Sequence, residues 1–420
     1  VTTTASASPP FRLPASHFAV GLVFLVLGAM GLVMASRALS LGAYLDPRVT
    51  SVTHLFTLGW ITTSIMGALY QFLPVALGHP VRWPGLAPAT LAMYAPGLLL
   101  MVAGMWRGTG SWAAFGGGLV GAGTLLFAVN LSGTLRVAST RDVTWWALAF
   151  ATGFLIVTVV LGATLSMNLR WWFLGTDRLT AIGVHLHVAV VGWVLLVAVG
   201  VARRLLPMFL LSHGADERPV AWAVGLLASG TTTLLLLHHA PAGPWKRMPA
   251  LLITAGMAAF LTQAALYYRH RHRRALDPGM RFAAGGLFLV GAGAVAGGAR
   301  ALTDTPVQHL TVVSAVAVIL GLSAFVAAHY YKIVPFLVFY HRYGPLVGRH
   351  PVPLVADLYA GWAASTAGWL VTLGAGAVVL GTLVGNAMVT GSGAYLFLGG
   401  AVVVSVQMIF LYRRHPEWES

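Results

Sequence analysis

The chain has 420 residues, of which 58% are hydrophobic and only 8% charged, with a mean hydropathy of +0.82. Soluble domains carry about a quarter of their residues as charges, so this composition excludes one and defines a polytopic membrane protein. The net charge of +15 would point to nucleic acid in a soluble protein. Here it reads as the excess of Lys and Arg that membrane insertion selects in cytoplasmic loops, and no nucleic-acid partner is expected. Cysteine is absent, which rules out thiolate metal sites, disulfides and attachment of haem through C-x-x-C-H. Any metal must be held by His, Met or oxygen.

Residues 1–14 are rich in Ser, Thr, Ala and Pro, with a single Arg12. They read as a disordered cytoplasmic tail and lack the cleavage pattern of a signal peptide. The remainder, 15–420, reads as one transmembrane domain. Its apolar segments lie at 17–39, 51–77, 86–106, 111–132, 144–167, 181–209, 219–239, 248–268, 281–301, 307–336, 358–384 and 391–412. Each has the length of about 20 residues that a helix needs to cross a bilayer. The predicted fold is therefore all-α, with twelve transmembrane helices surrounded by lipid. Alternating sides from a cytoplasmic N-terminus puts 17 Lys/Arg inside and 8 outside, which predicts an inner-membrane protein with both termini in the cytoplasm.

One sequence frame recurs. His54 is followed by Gly59-Trp60 and then Pro74, and His187 by Gly192-Trp193 and then Pro207, so H-x4-G-W-x13-P occurs twice. The exit recurs a third time as Tyr331-Lys-Ile-Val-Pro335. The three prolines are 133 and 128 residues apart, and the spacing predicts a three-fold internal repeat.

His54, His185, His187, His238, His239 and His309 fall near the outer ends of their segments. A single histidine there usually makes an interhelical hydrogen bond, but polar groups inside a bilayer are costly and tend to be functional. Six at one depth favour a metal or haem layer. Residues two apart on a helix point about 200° apart, so His185 and His187 are not expected to face one metal. The adjacent His238 and His239 can more easily share one.

Twelve helices, a three-fold repeat, a histidine in the second segment, one in the sixth and a His-His pair closing the seventh resemble subunit I of the haem-copper oxidase superfamily. The resemblance covers nearly the whole chain. The 20-residue step from histidine to proline is most similar to the C-type oxidases, and the NnrS family, implicated in nitric-oxide responses, is similar in overall plan. The resemblance implies b-type haem (heme b) on His54 and copper or another non-haem metal held by His187, His238 and His239. It also implies electron transfer linked to nitric oxide or oxygen, a cytochrome or quinone electron donor, and partner subunits. The competing reading is a haem or copper transporter, sensor or assembly protein on the same scaffold.

Several residues depart from the family pattern. In the tenth segment the frame of the family's two haem histidines holds Val313 and Ala315. His309, nearer the outside, stands in for one axial ligand, and His185 serves a different centre. No tyrosine lies in the sixth or seventh segment, and Glu217, Glu417 and Glu419 all fall in cytoplasmic stretches. Without mid-helix carboxylates, no proton pumping is expected. The glycine runs at 115–118 and 291–298 read as close helix packing. Tyr330, Tyr331, Lys332 and His341 read as an interfacial belt that could also meet a quinone head group.

Overall fold

The computed structural model describes residues 9–240, 243–303 and 308–414. Twelve of its helices are long and apolar enough to cross a membrane: α1 (Arg12–Ser40), α2 (Pro47–Leu77), α3 (Leu86–Arg107), α4 (Gly110–Arg136), α5 (Val143–Trp171), α6 (Gly175–Leu210), α7 (Arg218–Leu237), α8 (Met248–Arg269), α9 (Pro278–Ala301), α10 (Leu310–Leu346), α11 (Gly361–Leu383) and α12 (Ala387–Arg413). This is a multi-pass membrane protein. Among the described residues, extended pairing is confined to one bridge between Ser212 and Arg271.

Three helices, α2, α5 and α12, begin ahead of their apolar runs because caps extend them. The Asp46 carboxylate accepts the Arg48 N–H at 2.7 Å, and Pro47 follows as the first helical residue, so α2 starts ahead of its apolar stretch. Asp142 accepts the Trp145 N–H at the start of α5, and Asn386 accepts the Met388 and Val389 N–H groups before α12. The predicted disordered tail is also too long: Arg12 to Pro14 are already helical, and residues 1–8 lie outside the described part.

The chain forms two compact units. One comprises Pro10–Ala68, Ala275–Gly293 and Gln308–Ser420; the other consists chiefly of Leu69–Arg274, with Val1–Pro9 and Ala294–Val307. In the first, α11 and α12 approach until a Cβ on Gly374 would sit 2.5 Å from the Phe397 nitrogen. In the second, a Cβ on Gly116 of α4 would lie 2.3 Å from the Met101 nitrogen of α3. Only glycine permits such backbone contact, which accounts for Gly116 of the glycine run at 115–118.

Buried polar groups tie neighbouring helices together within each unit. In the first, the Trp60 indole N–H donates to the Ser323 carbonyl at 3.3 Å, and the Ser64 and Tyr330 hydroxyls share a hydrogen bond of 2.7 Å. Both join α2 to α10. In the second, the Thr144 hydroxyl donates to the Gly200 carbonyl at 3.0 Å, joining α5 to α6.

Among the described residues, prolines lie inside four of these helices: Pro74, Pro96, Pro207 and Pro335. Close to two of them is an ion pair. Arg203 meets Asp142 at 2.5 Å and Glu217 at 2.7 Å, and Arg204 meets Asp142 at 2.7 Å. Lys332 meets Asp277 at 2.5 Å. Partial burial acts to raise the Asp142 carboxyl, but its bonds from the Trp145 N–H, Arg204 and Arg203 outweigh this and leave it below its ordinary value.

Candidate functional site

His54 ends the first α-helical stretch of α2. From Leu55 to Thr62 the backbone then widens into a π-helix, and the Thr63 N–H reaches the Leu58 carbonyl, five residues back. Widened turns of this kind are rare and concentrate at functional sites. The His54 Nδ1–H donates to the Thr50 carbonyl at 2.8 Å. With the proton on Nδ1, that bond orients the half-buried ring and leaves the Nε2 lone pair as an acceptor. Histidines that ligate metals are typically held by a hydrogen bond of this kind on their other nitrogen.

The packing beneath the widened turn is specific. A Cβ on Gly59 would lie 2.6 Å from Cγ of Phe24 in α1, so the Phe24 ring occupies the space a side chain would need. Trp60 is fully buried and its ring lies 4.8 Å from that of Tyr330. Beside this segment Leu32, Val52, Thr53, Phe56, Val316 and Ile319 line a small apolar cleft between α1, α2 and α10, with a cavity volume of about 30 Å³.

The same device recurs in α6. His187 ends an α-helical stretch, Val188 to Leu195 form a π-helix, and the Leu196 N–H reaches the Val191 carbonyl. The His187 Nδ1–H donates to the Gly183 carbonyl at 2.8 Å, and the side chain is exposed. A Cβ on Gly192 would lie 2.8 Å from Phe154 of α5. Trp193 is 2% exposed.

The remaining predicted residues are placed differently. His185 is turned toward α5, where its Cε1 would lie 3.1 Å from a Cβ on Gly162, so it faces away from His187 as the helical spacing requires. His238 and His239 follow the end of α7 with ring centroids 4.0 Å apart. The His238 Nδ1–H is committed to the Leu235 carbonyl at 2.8 Å. Among the described residues no three His, Asp or Glu side chains come close enough to hold a metal ion, so His187, His238 and His239 are not gathered into the expected three-imidazole site. His309 lies in the helix leading into α10, and its side chain falls outside the described residues.

The donor set therefore fits a group that takes one imidazole at His54. Val313 and Ala315 offer no second ligand from α10 in the family frame. Sequence reasoning located the histidines and the Gly-Trp pair but missed the π-turns and the two phenylalanines that seat the glycines, because neither leaves a mark in hydropathy or spacing. Compared with known proteins, the chain matches no family model and no curated sequence.

Proposed function

We propose that this is a haem-binding integral membrane protein related to the haem-copper oxidase superfamily, with three pseudo-repeats and a role in electron transfer linked to nitric oxide or oxygen. The observation that carries this reading is the His54 imidazole, tied back to the Thr50 carbonyl immediately before a π-turn, its ring nitrogen Nε2 left to bind iron. The recurrence of the same device in α6, at the spacing of the repeat, supports a common plan for α2 and α6. With no cysteine in the chain, the haem is held non-covalently, and the family resemblance makes it b-type. Such a haem supplies one-electron redox chemistry and gas binding. The chain's part would be to hold the iron through His54, the one imidazole beside the apolar cleft of α1, α2 and α10. The placement is that of a membrane-embedded carrier in the inner membrane with both termini cytoplasmic, served by a cytochrome or quinone donor.

One observation favours the non-catalytic alternative of haem transport, sensing or assembly. The three histidines expected to hold copper are not gathered among the described residues, and in the family it resembles the gas-reducing site has a second metal beside the haem.

The test is an absorption spectrum of protein expressed with haem supplied, followed by pyridine haemochrome analysis of wild type and His54→Ala. The wild type is expected to be red and b-type, and the variant to lose the haem bound there. A colourless wild type refutes the proposal.

A further inference from the structure

We infer that four arginine–tryptophan pairs at the turns of the second compact unit are phospholipid headgroup sites, in which the guanidinium edge takes the lipid phosphate while the indole holds the guanidinium face. The inference does not depend on any cofactor.

The pairs fall in four successive turns. The Arg82 guanidinium carbon lies 5.8 Å from the centre of the Trp83 ring between α2 and α3, and that of Arg107 lies 6.0 Å from Trp112 between α3 and α4. Arg141 lies 5.0 Å from Trp145 between α4 and α5, and Arg178 lies 5.2 Å from Trp172 between α5 and α6. Helices joined by short turns run in opposite directions, so Trp83 and Trp145 mark one end of the unit and Trp112 and Trp172 the other. Helix α4 measures the separation. Trp112 is in its first turn, and Trp83 packs on Gly133 near its last, where a Cβ would lie 2.4 Å from the ring. The two positions are 21 residues apart (133 − 112), about 32 Å of helix, and the hydrocarbon core of a bilayer is about 30 Å thick. The rings therefore stand at the two headgroup levels, where tryptophan concentrates.

Buried polar groups fix two of these turns. Asn130 of α4 is fully buried; its side chain accepts the Trp83 N–H at 3.0 Å and donates to the Trp83 carbonyl at 2.9 Å. The Thr134 hydroxyl accepts the Arg82 N–H at 3.1 Å. Asn168 of α5 is buried too; its side chain accepts the Leu174 N–H at 2.8 Å, and its carbonyl accepts the Trp172 N–H at 3.0 Å. Trp172 itself is held at φ 52°, in the left-handed region where a side chain is strained. Strain of this kind persists where the geometry is used. Both rings so held face outward, Trp83 43% and Trp172 66% exposed.

The cations beside them are open to an anion. Indole covers one face of a guanidinium and leaves the N–H groups of its edge, whose fork matches two phosphate oxygens. Among the described residues no carboxylate claims any of the four, since the ion pairs join Asp142, Glu217 and Asp277 to Arg203, Arg204 and Lys332. The turns at 78–85 and 107–112 contain no acidic residue at all. Arg342, stacked on Phe11 in the other unit, is the contrast: its N–H groups are spent on the Tyr412 and Arg414 carbonyls. A free phosphate meets the same donors, but exposed indoles at a bilayer's spacing select a phosphate that carries acyl chains.

The experiment uses full-length protein in neutral detergent, with dioleoylphosphatidylglycerol, with dioleoylglycerol (the same chains without phosphate) or with inorganic phosphate. Retained lipids are counted by native mass spectrometry, and unfolding temperature is read alongside. Wild type should retain phosphatidylglycerol in excess of dioleoylglycerol. Each of Arg82→Gln, Arg107→Gln, Arg141→Gln and Arg178→Gln should lower that excess by about one lipid, and the quadruple variant should lose most of it, with the unfolding temperature in lipid-free detergent unchanged. Equal retention of the two lipids, wild-type retention by the quadruple variant, or the same rise in unfolding temperature from inorganic phosphate overturns the inference. If the quadruple variant does not fold, a measurement with the arginines in place decides. The chain has no cysteine, so Ser139→Cys and Thr176→Cys, both at exposed positions, each carry a single nitroxide in phosphatidylglycerol vesicles. Both labels should report phosphate depth by oxygen and nickel-chelate accessibility; a label in bulk water or in the hydrocarbon interior at either end overturns the inference.

Discussion

The packing beneath the first π-turn makes Gly59→Ala a sharp probe. The new Cβ would lie 2.6 Å from Phe24 Cγ and 2.7 Å from Phe24 Cβ, whereas carbon atoms rest about 3.5–4.0 Å apart. The shortfall is about 1 Å. Rotating Phe24 cannot relieve it, since Cβ moves only with its own backbone, and Phe24 is itself 2% exposed. Overpacking of this kind costs about 1–3 kcal/mol, and alanine returns at most about 1 kcal/mol of helix propensity. The net expectation is a loss of about 1–2 kcal/mol. Thermal unfolding in detergent, followed by the fluorescence of the 14 tryptophans, reads it directly. The control is Gly118→Ala, where a Cβ meets nothing within 4 Å and the substitution should be neutral or stabilising. If Gly59→Ala unfolds at or above the wild-type temperature while Gly118→Ala behaves as stated, the account of the turn is refuted.

Gly192→Ala should lose stability in the same direction, because its Cβ would meet Phe154 at 2.8 Å; the same unfolding assay checks it. Trp60→Phe removes the indole bond to the Ser323 carbonyl and part of a buried ring, and should cost about 1–3 kcal/mol in equilibrium unfolding. Asp142→Asn keeps a capping side chain but discharges the partner of Arg203 and Arg204, a loss of up to about 1 kcal/mol for a partly exposed pair. Its pH dependence has a defined sign. The folded Asp142 carboxyl titrates below its ordinary value, so its contribution is complete above the unfolded value of about 3.9 and disappears as pH falls through the folded one. Melting curves across that acidic range should show wild type converging on the variant. A gap that stays constant down to the lowest pH would contradict the assignment.

Much of the fold was legible because twelve apolar runs of bilayer length leave little choice of architecture. The caps at Asp46, Asp142 and Asn386 were less so, since a polar residue beside a helix is equally at home in a turn. The opposed directions of His185 and His187 followed from helical spacing alone. The three-imidazole site is not assembled among the described residues, because spacing along a chain does not fix which side chains are brought together across helices. The π-turns were invisible for a related reason. Residues from Leu55 to Thr62 are apolar on nearly every side, so no periodicity distinguishes a wide turn from an ordinary one.

Pro207 has a mechanical consequence. Lacking an N–H, it cannot bond the Arg203 carbonyl four residues earlier, and the Tyr267 hydroxyl from α8 reaches that oxygen instead, at 3.5 Å. A long bond from a neighbouring helix yields more easily than the rung it replaces, so the end of α6 is a flexure. The Arg203 guanidinium, fastened to Asp142 on one side and Glu217 on the other, acts as a pair of stays across that flexure. Slackening either stay would let the last turns of α6 swing while the stretch around His187 keeps its shape, so movement at one end of this helix need not be felt at the other.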